Sequence, residues 1–506
     1  MPRKRVPRRA KANAMTVVST ADLLAILPEL LVMTGGCLVL VLDPLTPQHR
    51  KEWLTYLSLA TLGVAFVVGY WFMGSFTGAP RPAFSGLYIL DAYGTFWKLL
   101  LIGVSGLIIL LAKAHLKLEE IDLPEFYALI LLSLAGMMVM VSGADLLVIY
   151  LGLELMSLCL YVMAGFKRYE PRPLEAAAKY FILGSFSSGI LLYGISLLFG
   201  RTGSTTLAGI REGIASLPAG DPILMFAMSL LVVGFGFKVA AVPFHMWTPD
   251  VYEGSPTSVT AYMAVASKAA SFAAFVRVFL VALGGLKEDW QMLLVAVCAA
   301  TLILGNVVAI VQSNIKRMLA YSSIAHAGYA LIGLIVADSF GTASVMLYLA
   351  IYAFMTLGAF TVVTMLRRGG LEGDSIDDFT GLAKRNKWAA LVMLLFMISL
   401  TGIPPTGGFI AKFYIFMAAV SAGMTGLAVL AVIFAAVSAY YYLRVVMVMY
   451  MRDPGEEAGA PGHGVRVVMS PASVAVLTVA SLAVLILGVF PDPLIKAAQS
   501  AILPLK

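Results

Sequence analysis

Six ionisable residues stand in apolar surroundings: Glu154, Lys179, Lys238, Lys268, His326 and Lys412. In a bilayer interior each such group costs on the order of 2.5–3.5 kcal/mol on insertion scales, which makes it a functional candidate by default. The residue types narrow the chemistry, since four of the six are lysines and one is a carboxylate. A lysine buried among apolar groups exchanges its proton within reach of neutral pH. Na⁺ and K⁺ want oxygen ligands, which a row of amines supplies poorly. The set therefore points to a proton route. One or two of these residues could simply glue helices or snorkel to an interface, but six in one chain make that reading poor.

Glu154 (in LGLELMSL) and Lys179 (in EAAAKYFILG) lie on consecutive apolar stretches joined by the short loop around 167–173. This arrangement predicts an ion pair in the loop-side half of the membrane. A carboxylate holds a neighbouring lysine charged, and opening the pair would expel the proton. Lys238 opens the run KVAAVPFHMWTPDVYEGSPT, where Pro243 and Pro249 are expected to interrupt the helix. In GIPPTGGF, Pro404 and Pro405 break another helix just before Lys412. Exposed backbone at such breaks is tolerated only against protein or a watery cavity. A lysine beside a proline break in each half suggests internal duplication. Lys268 and His326 fall between the two as stepping stones.

The elements that carry these residues are membrane helices. Sixty per cent of the 506 residues are hydrophobic and 12 % are charged, against about 25 % charged in soluble domains. A chain with so little charge cannot cover itself in water. Apolar stretches long enough to span a bilayer lie near 21–42, 53–74, 92–112, 125–143, 145–166, 174–200, 222–242, 255–283, 290–312, 316–337, 341–366, 388–420, 424–450 and 469–490, which makes fourteen expected spans. Gly423 and Gly426 place the turn between the twelfth and thirteenth. The longest connections, about 367–387 and 451–468, leave no room for a soluble domain.

Loop lysines and arginines crowd on one side, among them Arg50, Lys51, Lys113, Lys167, Lys316, Arg367 and Lys384. The other side has Arg81, Arg201, Arg211, Lys287, Lys496 and Lys506. The positive-inside rule makes the basic side cytoplasmic and puts both termini outside. The arm MPRKRVPRRAK votes the other way, which predicts that translation starts at Met15. It also carries six positive charges of a net +7, so the remainder is nearly neutral and no nucleic-acid partner is implied.

Cys37, Cys159 and Cys298 sit in apolar runs without CxxC spacing, so neither an iron–sulfur cluster, a zinc site nor a disulfide framework is expected within the chain. His245 and His326 are the histidines expected near membrane depth, but one is in a proline-flanked turn and the other alone on its span, a poor haem pair. No strands are expected, so no strand-borne phosphate loop for a nucleotide is expected either.

The segments LGLELMSLCLY, RPLEAAAKYFILGSFSSGILLYG, KVAAVPFHMWTPDVYEGSPT, NIKRMLAYSSIAHAGY and GIPPTGGFIAKFYIF closely resemble subunit N (subunit 2) of bacterial proton-pumping NADH:quinone oxidoreductase, respiratory complex I. The likeness runs over roughly 20–490. Related subunits L and M and the multi-component cation/proton antiporters typically carry an acidic residue where this chain has Lys412. The resemblance implies an all-α polytopic, antiporter-like fold with two inverted five-helix repeats. The division it implies is a basic arm 1–14, N-terminal helices 15–124, a first repeat 125–283, a second repeat 284–450, and a loop with the last helix 451–506.

By the same resemblance, Glu154 is the coupling carboxylate, Lys179 its partner and Lys238 the central proton-binding lysine. Lys268 and His326 bridge to Lys412. The implied role is a translocase subunit with no cofactor or metal of its own. FMN, iron–sulfur clusters and quinone are expected in partner subunits, the partners being the other membrane and peripheral subunits of complex I, in the bacterial inner membrane. The alternatives are a subunit of a multi-component cation/proton antiporter or of a membrane-bound hydrogenase-type complex, and a purely structural membrane subunit.

Overall fold

A computed structural model of the chain describes residues 18–75, 80–119, 121, 123–368, 371–453 and 465–503. The basic arm and the Met15 start lie outside the described residues. The chain begins with α1 (Thr20–Ala25), α2 (Leu27–Leu42), α3 (Glu52–Ser75) and α4 (Ala92–Leu118). Next come α5 (Pro124–Ser142), α6 (Leu146–Ala164), α7 (Pro171–Thr202), α8 (Leu207–Ala215), α9 (Pro222–Val239) and α10 (Trp247–Gly254). A single span then runs from Thr257 to Ala282. It comprises α11 (Thr257–Tyr262), a π-turn, α12 (Lys268–Arg277) and a second π-turn. After it follow α13 (Lys287–Ile310), α14 (Ile315–Val336) and α15 (Ser339–Met365). The rest is α16 (Leu382–Arg385), α17 (Lys387–Thr401), α18 (Gly407–Ser421), α19 (Thr425–Met451), α20 (Pro471–Val489) and α21 (Asp492–Ser500).

Twelve of the described helices are long and apolar enough to cross a membrane. Three shorter apolar ones, α2, α17 and α18, fill the first and twelfth expected stretches. Helix starts follow local chemistry. The side chains of Asp91, Asp145, Asp221, Asn314, Asp338, Asn386 and Ser470 each accept from backbone N–H groups of the turn they open, relieving donors that no helix satisfies internally. Proline occupies the first turn of α5, α7, α9 and α20, where its missing N–H costs nothing. Gly423 is left-handed at φ +76° and turns α18 into α19. Gly426 lies inside α19 and takes no part in the turn.

The expectation of no strands is corrected by five short ones in the connections among the described residues. β1 (Arg81–Ala83) pairs with β2 (Tyr88–Leu90). β3 (Leu366–Arg368) pairs with β4 (Leu371–Glu372) and β5 (Val465–Val467). All are antiparallel and at most three residues long, so they pin loops without building a layer.

A helix that is apolar all round belongs in a core or in lipid. Helices α14 and α15 and the 257–282 span are almost wholly buried, whereas α3 and α20 turn large side chains outward, Trp71 at 75 % and Val489 at 54 % exposed. The segments that carry Lys268 and His326 are therefore the inner ones.

Candidate functional site

The first break sits where α9 ends. Ala240 takes a left-handed conformation (φ 62°) and the chain runs irregularly to α10, with a cis Val242–Pro243 bond. The freed backbone is satisfied by neighbours. The Val242 N–H donates to Thr301 Oγ1 (2.9 Å) and Trp247 Nε1 donates to the Phe237 carbonyl (3.1 Å), as buried irregular backbone requires. Pro249 does not contribute to the break, because it lies in the first turn of α10, where proline is harmless. The interruption belongs to Ala240–Met246, with Pro243 inside it.

Lys238 lies in the last turn of α9 and is buried. Its Nζ donates to Ser157 Oγ (2.7 Å) and reaches Tyr161 Oη (3.5 Å). Glu154, Ser157 and Tyr161 follow at i, i+3 and i+7 on α6, one helix face. The Glu154 carboxylate, half-buried and with Oε1 unbonded among the described residues, acts electrostatically on Lys238, Tyr150 and Tyr161.

The expected Glu154–Lys179 pair is not formed. Lys179 bonds Asp250 (2.8 Å) and Glu175 (2.7 Å), and its side chain is 42 % exposed. The register of α6 on α7 gives the reason. Tyr161 packs edge-on against Tyr180 and Phe181, and a Cβ added to Gly165 would meet Ala177 at 2.8 Å. Lys179 is thus level with residues near 163, about nine residues or roughly 13 Å from Glu154 at 1.5 Å per residue. A lysine stem does not span that. The first turns of α7 overhang the end of α6, an offset that loop length alone did not reveal. Lys179 instead lines an open cleft of about 220 Å³ with Arg172, Glu175, Asp250, Glu253 and Arg317. Burial would raise the Asp250 carboxyl, but Lys179 and Arg317 outweigh it and hold it below its ordinary value.

Lys268, His326 and Lys412 are all buried and belong to one polar thread. Lys268 follows the π-turn Met263–Ser267, and π-turns are frequent at functional sites. Its Nζ donates to the Ser323 carbonyl (2.6 Å) and Oγ (2.5 Å), one turn before His326 on α14. His326 Nδ1 lies 2.6 Å from Tyr348 Oη and Nε2 lies 3.2 Å from Tyr442 Oη. Phenols accept and donate alike, so either tautomer of the imidazole fits. His326 packs on Tyr329, and the Lys412 ammonium stands 5.2 Å over that same ring. The imidazole lies in the electrostatic field of both lysines.

At the second break α17 stops at Thr401, and Gly402 (φ +90°) turns the chain into the cis Pro404–Pro405 bond before α18. The carbonyls freed at the end of α17 receive Lys412, whose Nζ donates to Leu400 O (2.9 Å) and Thr401 O (2.7 Å). A helix C-terminus is the favourable place for a cation. Glycine is needed at 402 for its φ and because a Cβ would lie 2.8 Å from Lys412 Cδ.

Several buried charges escaped the sequence reading. Arg277 bonds Asp91 through both terminal nitrogens (2.7 and 2.9 Å). Lys98 bonds Glu29 (2.7 Å) and Tyr88 (2.5 Å). His115, in the last turn of α4, is buried as well. Lys98 and Arg277 stand inside the apolar stretches 92–112 and 255–283, so the criterion that picked Lys268 would have found them.

Residues 143–438 match the family model described as NADH:quinone oxidoreductase/Mrp antiporter, TM. NADH-quinone oxidoreductase subunit N 2 of Rhizobium meliloti (strain 1021) is 46 % identical over 94 % of this chain and 97 % of that one. The chain belongs to the subunit N family. Subunit N of Trichlorobacter lovleyi is 42 % identical over 97 % of this chain and 99 % of its own. Among solved structures, a chain of respiratory complex I from Thermus thermophilus with bound aureothin superposes with a TM-score of 0.79 at 32 % identity, over 94 % of this chain and all of that one. The Mrp complex from Dietzia sp. superposes at 0.81 with 22 % identity over 96 % and 97 %, a likeness of fold alone. This subunit N chain is an all-α, multi-pass membrane protein.

Proposed function

We propose that this chain is a proton-translocating membrane subunit of NADH:quinone oxidoreductase, assembled with the other membrane and peripheral subunits of complex I in the bacterial inner membrane. The observation that carries the reading is the buried row Lys238, Lys268, His326 and Lys412, in which each nitrogen is met by hydroxyls or carbonyls and not by carboxylates. Groups held this way can change protonation without leaving an ion pair broken. The fourteen-span topology, two inverted repeats (125–283 and 284–450), a cytoplasmic basic side and outward termini are part of the proposal.

In this reading the cleft at Lys179 and Asp250 collects protons on the basic side. Glu154 sets the charge of Lys238, in place of a Glu154–Lys179 switch. Protons then pass by Lys268 and His326 towards Lys412. The chain contributes no cofactor site; FMN, iron–sulfur clusters and quinone belong to partner subunits, and quinone reduction there drives the shifts. Lys238→Ala complex, purified whole and reconstituted in liposomes, should oxidise NADH with quinone yet pump fewer protons. Full pumping by that variant would defeat the assignment. Recovery from native membranes with flavin- and iron–sulfur-bearing partners tests the assembly, and Na⁺-dependent transport by the chain recovered alone would overturn it.

A further inference from the structure

Below the basic-side surface, three parts of the fold meet on one carboxylate that the proton row does not use. Glu372, on β4 after α15, accepts from Thr257 Oγ1 (2.7 Å) in the first turn of the span carrying Lys268. Its other oxygen lies 2.7 Å from His115 Nε2, and His115 Nδ1 lies 3.1 Å from Ser258 Oγ in that same turn. Lys316, at the start of α14, is 3.6 Å from Glu372 and donates to the Ser255 carbonyl (2.9 Å) just ahead of that turn. Burial alone would raise the Glu372 carboxyl, but His115 and Lys316 hold it well below the usual carboxylate range, so it is ionised.

His115, Glu119 and Glu372 are close enough to suggest a metal site. The charge argues against one. Glu119 is already bonded by Lys167 and Arg367, and Glu372 is met by Lys316. Each of the two carboxylates thus already has a lysine or arginine beside it, which weakens its pull on a metal ion.

The geometry instead points to Glu372 as a positioning residue: from the loop after α15 it seats the first turn of the Lys268-bearing span, and so joins the second proposed repeat to the lysine of the first. Ten residues separate Thr257 from Lys268, and the intervening π-turn is where a shift of the seat can be taken up. This rests on the reading of Lys268 as a proton carrier.

The test uses intact complex in liposomes and reads protons pumped per NADH oxidised, uncoupled NADH oxidation, and complex content of the membrane. Glu372→Gln should lose pumping while keeping uncoupled turnover, and Glu372→Asp should regain it. Thr257→Val removes only the hydroxyl that joins the span to Glu372 and should reproduce the Glu372→Gln loss even where that variant assembles poorly. Wild-type pumping by Thr257→Val, or equal loss of content, turnover and pumping in Glu372→Gln without rescue by aspartate, overturns the proposal. Lys268→Ala separates the two claims: normal pumping there refutes the proton row, whereas lost pumping there with normal pumping in Thr257→Val refutes only the seat.

Discussion

Lys412 offers the sharpest separation of charge from proton transfer. Its ammonium donates to two carbonyls at the end of α17 and stands over Tyr329. Replacing it by methionine leaves both carbonyls unpaired, at about 1–3 kcal/mol for each orphaned group, and so mixes damage to folding with loss of function. Arginine keeps the charge, the donors and the cation–π contact. What it gives up is the ability to release a proton. A guanidinium keeps its proton throughout the physiological range, and every further unit of proton affinity, about 1.4 kcal/mol, cuts the deprotonated fraction another tenfold. Complex carrying Lys412→Arg should therefore assemble at normal levels and oxidise NADH when uncoupled, yet pump fewer protons per electron. The assay is fluorescence quenching of a ΔpH dye in liposomes, calibrated against NADH absorbance. Wild-type proton yield from Lys412→Arg would refute the idea that this residue passes protons, and would leave it a fixed positive charge.

Three further outcomes follow from the same geometry. Gly402→Ala places a side chain at φ +90° and a Cβ 2.8 Å from the Lys412 stem; it should cost about 1–3 kcal/mol in backbone strain and lower pumping in the liposome assay, whereas Gly423→Ala, open to space, should pay only the strain and pump normally. Lys179→Met should raise the salt sensitivity of pumping less than it lowers the initial rate at alkaline pH, where protons are scarce, while Lys238→Met should lower pumping at every pH; identical pH profiles would remove the distinction between a collecting residue and a central one. Glu119, Glu372 and Asp250 all have carboxyls held below their ordinary values, burial being outweighed in each by bonded cations. Their stabilisation is complete above the unfolded value, near pH 4.3, and fades as pH falls towards the folded ones. The thermal midpoint of solubilised complex should drop below about pH 4.5, and Glu372→Gln should lower the midpoint at pH 7 while flattening the acid limb.

What the sequence made legible is what hydropathy and single side-chain types encode. The apolar stretches locate the helices, and the lysines inside them locate the row from Lys238 to Lys412. PPTGG and VPF mark both breaks because proline cannot continue a helix. Partner choice was not legible, since it depends on interhelical register. Glu154 and Lys179 were matched by distance from a shared loop, yet Tyr161 against Tyr180 shows α7 running past the end of α6. Asp250 was passed over because its meeting with Lys179 depends on how α10 folds back after the break. The π-turn beside Lys268 has no proline or glycine to announce it; MAVAS reads as ordinary helix. His115 and Glu372, 257 residues apart, could be joined only by the fold.

The two breaks look alike in sequence but do different chemistry. At the first, the lysine belongs to the helix that ends, and it reaches sideways to hydroxyls on α6 that share a face with Glu154. Its charge can therefore be set by a carboxylate on a neighbouring helix, and a movement of α6 against α9 alters it. At the second, the lysine belongs to the helix that begins after the break and reaches back to the carbonyls that the break has freed. Those carbonyls exist as free acceptors only while Gly402–Thr406 stays irregular, and no carboxylate is needed to hold the cation. His326 lies between Lys268 and Lys412 in this row and, among the described residues, is bonded to the phenols of Tyr348 and Tyr442, and like charges placed along one buried row repel. On the proposed reading of this row, a proton arriving at one end raises the cost of holding one at the other, and that repulsion is the drive towards release which two identical ion-paired sites would lack.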